Sequence, residues 1–307
     1  MTRAVLVIGG PTASGKSSLA LKCAAHYDGV IINADSMQIY DDLHVLTAHP
    51  SPADHKTFPH QLYGVLKPHE KCSAAMWRDM ALKGINTAHQ NNKTPIIVGG
   101  TGFYIQALLK GLSPMPDISQ NDRDEAIAFA KEMGNEALYA LLKEKDPDSA
   151  AKLDPQNTQR LTRAWEVLKV TGRGLASWQS DPLILPPADL SFFYITLLPA
   201  REVLYDRCNT RFEQMIEQGA LAEVEAFAKK LDDGEIPQTA PLIKALGFSA
   251  LKAYLKKETT LEEAKLQASQ QTRNYAKRQM TWFRNQGTPD LVLQTHDIEK
   301  IIAQFKI

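Results

Sequence analysis

Five short apolar runs free of polar alternation punctuate the chain: AVLVI near residue 4, GVIINA near 29, TPIIVG near 94, FFYITLL near 192 and LVLQ near 291. Unbroken runs of this length, rich in β-branched residues, are the signature of strands covered on both faces. Between them apolar positions recur at helical spacing, as in SAAMWRDMALKGINTAHQ and REVLYDRCNTRFEQMIEQ. That βα alternation predicts a parallel sheet with helices on both faces. The stretch from about 119 to 188 departs from it: helical periodicity continues without a strand between the breakers SPMPD and SDPLILPP, which predicts a helical insertion. The longest helical pattern runs from Thr260 to about Gln286, with a Thr260–Glu263 capping box, basic residues crowding its end and Gly287 expected to close it.

Composition narrows the class. The formal net charge is zero, with 35 basic and 35 acidic residues, so no bulk field draws the chain to nucleic acid, and only a local basic face would do so. The first ten residues are apolar but end in glycines and lack the basic start of a signal peptide, and no run approaches a membrane span. Cys23, Cys72 and Cys208 form no CxxC pair, which argues against a disulfide framework or a thiolate metal site. His49, His55 and His60 show no repeated ligand spacing. The expectation is a cytoplasmic, monomeric protein with no membrane partner.

The first apolar run ends in GGPTASGKSS, where Gly10, Gly15, Lys16 and Ser17 satisfy the GxxxxGK[ST] pattern. Glycines there let backbone N–H groups wrap an anion, the lysine reaches terminal phosphates and the hydroxyl after it suits Mg2+. The helix that follows adds the positive end of its dipole. The fold class expected is therefore α/β, a P-loop NTPase-like parallel sheet with helices on both faces and an inserted helical domain. Its parts are a first core segment at 1–118, the insertion at 119–188 and a second core segment at 189–307.

The second run ends in ADSMQIY, which sets Asp35 at the carboxyl edge of the sheet, where ligands of open α/β folds bind. Asp35 is either a general base or a turn-capping aspartate. The third run ends in GGTGFY, with no acid to hold metal, and Thr101 there is either a site residue or a helix cap. Along the last long helix Arg273, Lys277 and Arg284 recur at spacings of four and seven, beside Tyr275, Arg278 and Trp282. This reads as a phosphate-binding face with aromatic surfaces, or as a solvated helix end whose Trp282 and Phe283 belong to the core.

Taken together GPTASGKS, ADSMQIY, GGTGFY and RNYAKRQMTWFR, with DPQNTQRLTRAWEV in the insertion and LIKALGF before the long helix, resemble the bacterial tRNA dimethylallyltransferase (tRNA isopentenyltransferase) family over nearly the whole chain. The resemblance implies transfer of a dimethylallyl group from its diphosphate to the exocyclic amine of the adenosine next to the anticodon. On it, Gly10, Pro11, Thr12, Ala13, Ser14, Gly15, Lys16 and Ser17 would cradle the donor diphosphate with Mg2+ on Ser17. Asp35, Lys16 and Thr101 would be catalytic, with Asp35 taking the amine proton. The anticodon stem-loop of tRNA would meet Asp35, Ser36, Met37, Gln38, Thr101 and Arg123, then Gln159, Arg160, Leu161, Thr162 and Arg163; the basic face of Arg273, Lys277 and Arg278, read from spacing, is consistent with this and is taken as a further tRNA contact. Two segments depart from the family pattern. LTAHP stands where GTAKP is usual, giving Leu46 and His49, the latter expected as a weaker, pH-dependent phosphate partner. PHQLYGV has Gly64 where an aspartate is usual.

Three other readings compete. FFYITLLPAREVLYDR is similar to the late strand and arginine helix of P-loop kinases, which would turn over ATP. A non-catalytic RNA-binding P-loop protein would not need Asp35. Prenylation of free AMP would not need the insertion or RNYAKRQMTWFR.

Overall fold

The computed structural model describes residues 2–306. Six strands, β1 (Arg3–Gly9), β2 (Gly29–Asn33), β3 (His60–Gln61), β4 (Thr94–Gly99), β5 (Leu190–Leu197) and β6 (Leu291–Leu293), form one sheet in the order β3-β2-β4-β1-β5-β6. Every pairing is parallel, with Leu6 of β1 flanked by Ile96 and Phe193. The apolar runs explain this directly. Val5 and Val7 pack into one core and Leu6 and Ile8 into another on the opposite face, so each strand needs side chains suited to burial on both sides. Only β3 is invisible in the sequence, being two polar residues long.

The chain divides into two compact units, one of residues 2–109 with 187–306 and one of residues 110–186. In the first, α1 (Lys16–Tyr27) and the last helix of the chain cover one face of the sheet. The other face carries α3 (Ala74–Gln90) and α4 (Gly102–Lys110), which follow the short α2 (Pro52–Thr57). In the second unit, α5 (Gln120–Lys145), α6 (Pro147–Ala150), α7 (Thr158–Thr171) and α8 (Leu175–Ser180) enclose their own core of Leu138, Leu142, Leu161 and Val167. The sequence puts the insertion at 119–188; the unit runs from 110 to 186, and a bridge between Leu112 and Ile184 joins its ends. Gly134, at φ 72°, breaks α5 into two lengths.

The first unit resumes with α9 (Arg201–Glu217), α10 (Ala220–Asp232), α11 (Phe248–Leu255), α12 (Leu261–Asn285) and α13 (Ile298–Gln304). The capping box of α12 is present: Thr260 Oγ1 accepts from the Glu263 amide while the Glu263 carboxylate accepts from the Thr260 amide. Such caps are worth about 1 kcal/mol. Gly287 does not close this helix with a left-handed turn. Gln286 is the cap, its amide on the Trp282 carbonyl at 2.8 Å, and Gly287 is small because a Cβ there would lie 2.6 Å from the Phe283 carbonyl oxygen.

Candidate functional site at the carboxyl edge of the sheet

The loop between β1 and α1 curls around its own lysine: Lys16 Nζ donates to the Pro11 carbonyl at 3.0 Å. Its glycines answer two demands. Gly15 sits at φ 91°, and a Cβ on Gly10 would come 2.6 Å from the Leu197 carbonyl oxygen. Ala13, Gly15, Lys16 and Ser17 line a cavity of about 570 Å³, and Thr12 faces a second of about 290 Å³. Gly10, Pro11 and Ser14 are buried and shape the loop without lining either cavity. The Ser14 amide is spent on the Pro11 carbonyl, so it is not one of the N–H groups left for an anion. Desolvation brings Lys16 down to a pKa of about 8, against the pull of Asp35 and with the push of Arg211.

Asp35 is held by a buried asparagine. Asn33 Oδ1 accepts the Asp35 amide at 2.7 Å, and its Nδ2 donates to the carbonyls of Asp35 and Leu62. Asp35 Oδ1 accepts the Met37 amide at 2.9 Å, so one carboxylate oxygen caps a turn, while Oδ2 has no such bond among the described residues. The GGTG segment packs on this loop. A Cβ on Gly99 would lie 2.0 Å from the Ala34 carbonyl oxygen, and Thr101 donates its amide to that same oxygen. Thr101 Oγ1 accepts the Ser36 amide at 2.9 Å, so its side chain ties two strand ends together.

The smaller cavity is walled by Asp35, Ser36 and Met37 with Tyr275 and Arg278 of α12, and Gln38 faces the larger one. Between them lies a throat of about 40 Å³ lined by Thr12, Lys16, Ser17, Asp35, Tyr63 and Arg211, among others. The arrangement puts an anion cradle and a carboxylate at one constriction between two chambers.

Three contributors are not marked as site residues by the sequence, although Arg207 ends FFYITLLPAREVLYDR and Gln279 stands within RNYAKRQMTWFR. Arg207 and Arg211, one turn apart on α9, donate to the Ser14 carbonyl and to Thr12 Oγ1, and Arg211 borders both chambers and the throat. Their i, i+4 spacing in DRCNTR is the signal that was available. Gln279 is buried; its Oε1 accepts the Thr12 amide and its Nε2 donates to the Gly100 carbonyl, each at 2.8 Å. It clamps the phosphate loop to the GGTG loop.

The LTAHP turn is fixed from outside by Glu223 of α10, whose carboxylate accepts the Val45 and Leu46 amides at 2.9 and 3.0 Å. From inside, Gln38 Nε2 donates to the Thr47 and Ala48 carbonyls. His49 is not the pH-dependent charge expected: burial beside His44 and His55 pushes its pKa down to about 3, leaving a neutral ring on the larger cavity.

On α12, Lys277 and Arg278 are exposed and, with Asn274 and Thr281, border an open groove of about 400 Å³. Arg273 turns instead to Asn209 of α9 at 2.6 Å. Phe283 belongs to the core, and Trp282 packs against Gly102.

In the second unit, Gln159 and Arg160 are exposed, Thr162 Oγ1 is engaged with the Thr158 carbonyl, and Arg123 and Arg163 flank the buried Glu166 at 3.4 and 2.8 Å. Leu161 is a correction: fully buried in that unit's core, its side chain has no surface to offer a ligand. Among the described residues no cluster of three or more His, Cys, Asp or Glu side chains could hold a metal ion.

Comparison with known proteins follows the same lines. A family model described as IPP transferase matches residues 38–286. The chain is 50% identical over 286 residues to a tRNA dimethylallyltransferase of Rhodospirillum centenum, covering 93% of this chain and 90% of that one. It is 48% identical over 298 residues to one of Paramagnetospirillum magneticum, covering 97% and 93%. Among solved structures, the tRNA isopentenylpyrophosphate transferase of Bacillus halodurans superposes with a TM-score of 0.67 at 33% identity, covering 99% of this chain and 94% of that one. A eukaryotic dimethylallyltransferase described as acting on tRNA superposes with a TM-score of 0.80 at 26% identity, covering 97% and 75%.

Proposed function

The chain belongs to the IPP transferase family, the family of the tRNA dimethylallyltransferases, and on that premise we propose that it transfers a dimethylallyl group from dimethylallyl diphosphate to the exocyclic amine of the adenosine 3′-adjacent to the anticodon. The observation that carries this reading is the throat shared by Lys16, Asp35 and Arg211, with a chamber on either side. A diphosphate donor enters from the phosphate loop and the base enters past Met37 and Tyr275.

The new bond joins the amine nitrogen to the allylic carbon while the bond from that carbon to the diphosphate oxygen breaks, its electron pair leaving with the oxygen. The amine is a weak nucleophile because its lone pair is delocalised into the ring, and Asp35 takes its proton as the bond forms. Lys16, Arg211 and the free loop amides neutralise the departing diphosphate. The adenine must leave its stack to reach Asp35, which an anticodon loop permits. Thr101 acts by holding the Asp35 loop. Arg278 and Lys277 on α12, and Arg123, Gln159, Arg160, Thr162 and Arg163 in the second unit, are the tRNA contacts of this reading.

Ser17 presents a hard hydroxyl oxygen to the throat and would hold Mg2+ there, leaving Asp35 to act as the base. When bound, the ion supplies further charge neutralisation to the diphosphate. A cytoplasmic, monomeric enzyme is part of the proposal; no helix among the described residues is long and apolar enough to cross a membrane.

The test is incubation with dimethylallyl diphosphate, magnesium and unmodified tRNA, followed by mass analysis of nucleosides. A prenylated adenosine is expected. ATP turnover without it would favour a kinase, and product formed on AMP but not on tRNA would redirect the acceptor.

A further inference from the structure

Tyr63 lines both the larger cavity and the throat, yet it stands in PHQLYGV, a segment to which the sequence assigns no site residue. Its backbone is forced into place. Leu62 at φ 63° and Gly64 at φ 61° are both left-handed, one on each side of it. A left-handed leucine is strained and persists only where its surroundings dictate it. Here they do: the Leu62 carbonyl accepts from Asn33, the residue that also holds Asp35, and the Gly64 amide donates to the Gln38 carbonyl. The ring is boxed by His49, His55 and His60, all T-shaped to it with centroids 6.0, 6.3 and 5.6 Å away. The hydroxyl, by contrast, makes no hydrogen bond among the described residues. A half-buried ring held this closely in the wall it shares with Lys16 and Ser17, its hydroxyl without a protein partner among the described residues, is placed to donate to a ligand there.

We infer that Tyr63 is a further catalytic residue of the proposed transfer, its phenol donating a hydrogen bond to the oxygens of the departing diphosphate beside Lys16 and Ser17. The inference rests on the functional reading given above. The allylic carbon–oxygen bond breaks with its electrons on the diphosphate, the amine proton goes to Asp35, and the phenol keeps its own proton throughout. Burial and the negative charges of Asp35 and Asp54 raise the Tyr63 pKa above the usual tyrosine range, so it remains a donor at any working pH. A neutral donor complements the lysine by adding stabilisation without adding charge that product release must overcome.

Tyr63→Phe keeps the ring in its histidine box and removes only the donor. With dimethylallyl diphosphate and tRNA, kcat is expected to fall about tenfold, and calorimetric affinity for inorganic diphosphate with magnesium to fall by a similar factor. The tRNA dissociation constant and the thermal midpoint should stay at wild-type values. Tyr63→Leu, which empties the box, should also lower the midpoint. Wild-type kcat and diphosphate affinity in Tyr63→Phe would overturn the inference, as would losses that track tRNA binding or the midpoint. If the wild-type protein prenylates no tRNA, the functional reading fails by itself, and the diphosphate titration still decides whether Tyr63 binds that anion.

Discussion

The Ser36 amide donates to Thr101 Oγ1 at 2.9 Å, so a residue in the turn between β4 and α4 holds the loop that carries the candidate base beyond β2. Thr101→Val keeps the shape and removes the acceptor. Stability should fall by about 1 kcal/mol and kcat by about tenfold, with Thr101→Ser recovering most of both. Urea denaturation and steady-state kinetics on the three proteins check this.

Asp35 is the residue on which the chemistry turns. Asp35→Ala should lower product formation by at least about 100-fold while leaving tRNA affinity nearly unchanged. Single-turnover assays beside a filter-binding curve separate the two. Full activity in the variant would remove Asp35 as the base.

Lys16 gives the cradle a pH dependence. With its pKa lowered to about 8 in the ligand-free site, it is charged at pH 7 and neutral at pH 9.5. Diphosphate affinity should therefore weaken as pH rises through about 8, and Lys16→Gln should lose that component of the profile. The linked effect on folding has the opposite sense. The unfolded chain, with a lysine pKa of 10.5, binds more protons between about 8 and 10.5, so this group adds stability as pH rises across that window. Titration calorimetry and denaturation at matched pH values read both.

Two arginines of one helix should behave differently. Arg278 is exposed beside the groove, so Arg278→Ala should weaken tRNA binding and reduce the salt slope by about one. Arg273 is engaged with Asn209, and Arg273→Ala should change that slope less. Binding measured across a salt series distinguishes them.

Gln279→Leu should cost about 1–3 kcal/mol, because it strands the Thr12 amide and the Gly100 carbonyl in a buried setting. The same variant should raise KM for the donor, since Thr12 opens onto the throat.

What was legible in the sequence was whatever one segment dictates alone. Strands buried on both faces announce themselves by unbroken apolar runs, the phosphate loop by its glycines, and the start of α12 by its capping box. The rest depends on partners distant in sequence. Nothing near Leu161 distinguishes a core leucine from a contact, since its burial is decided by helices on either side of it. The neutrality of His49 comes from His44, His55 and the cavity wall together. Arg211 and Gln279 are ordinary helical residues until α9 and α12 are laid against a loop near residue 12.

The order of strands bears on how the protein is made. Leu6 of β1 sits between Ile96 and Phe193, so the strand that launches the phosphate loop gains one neighbour early and the other only after the whole insertion has been translated. At roughly 5–20 residues per second, a nascent chain carries β1 with an open edge for about 10–40 s. The loop waits longer still for Gln279. The first motif to leave the ribosome is thus among the last for which all native contacts are available.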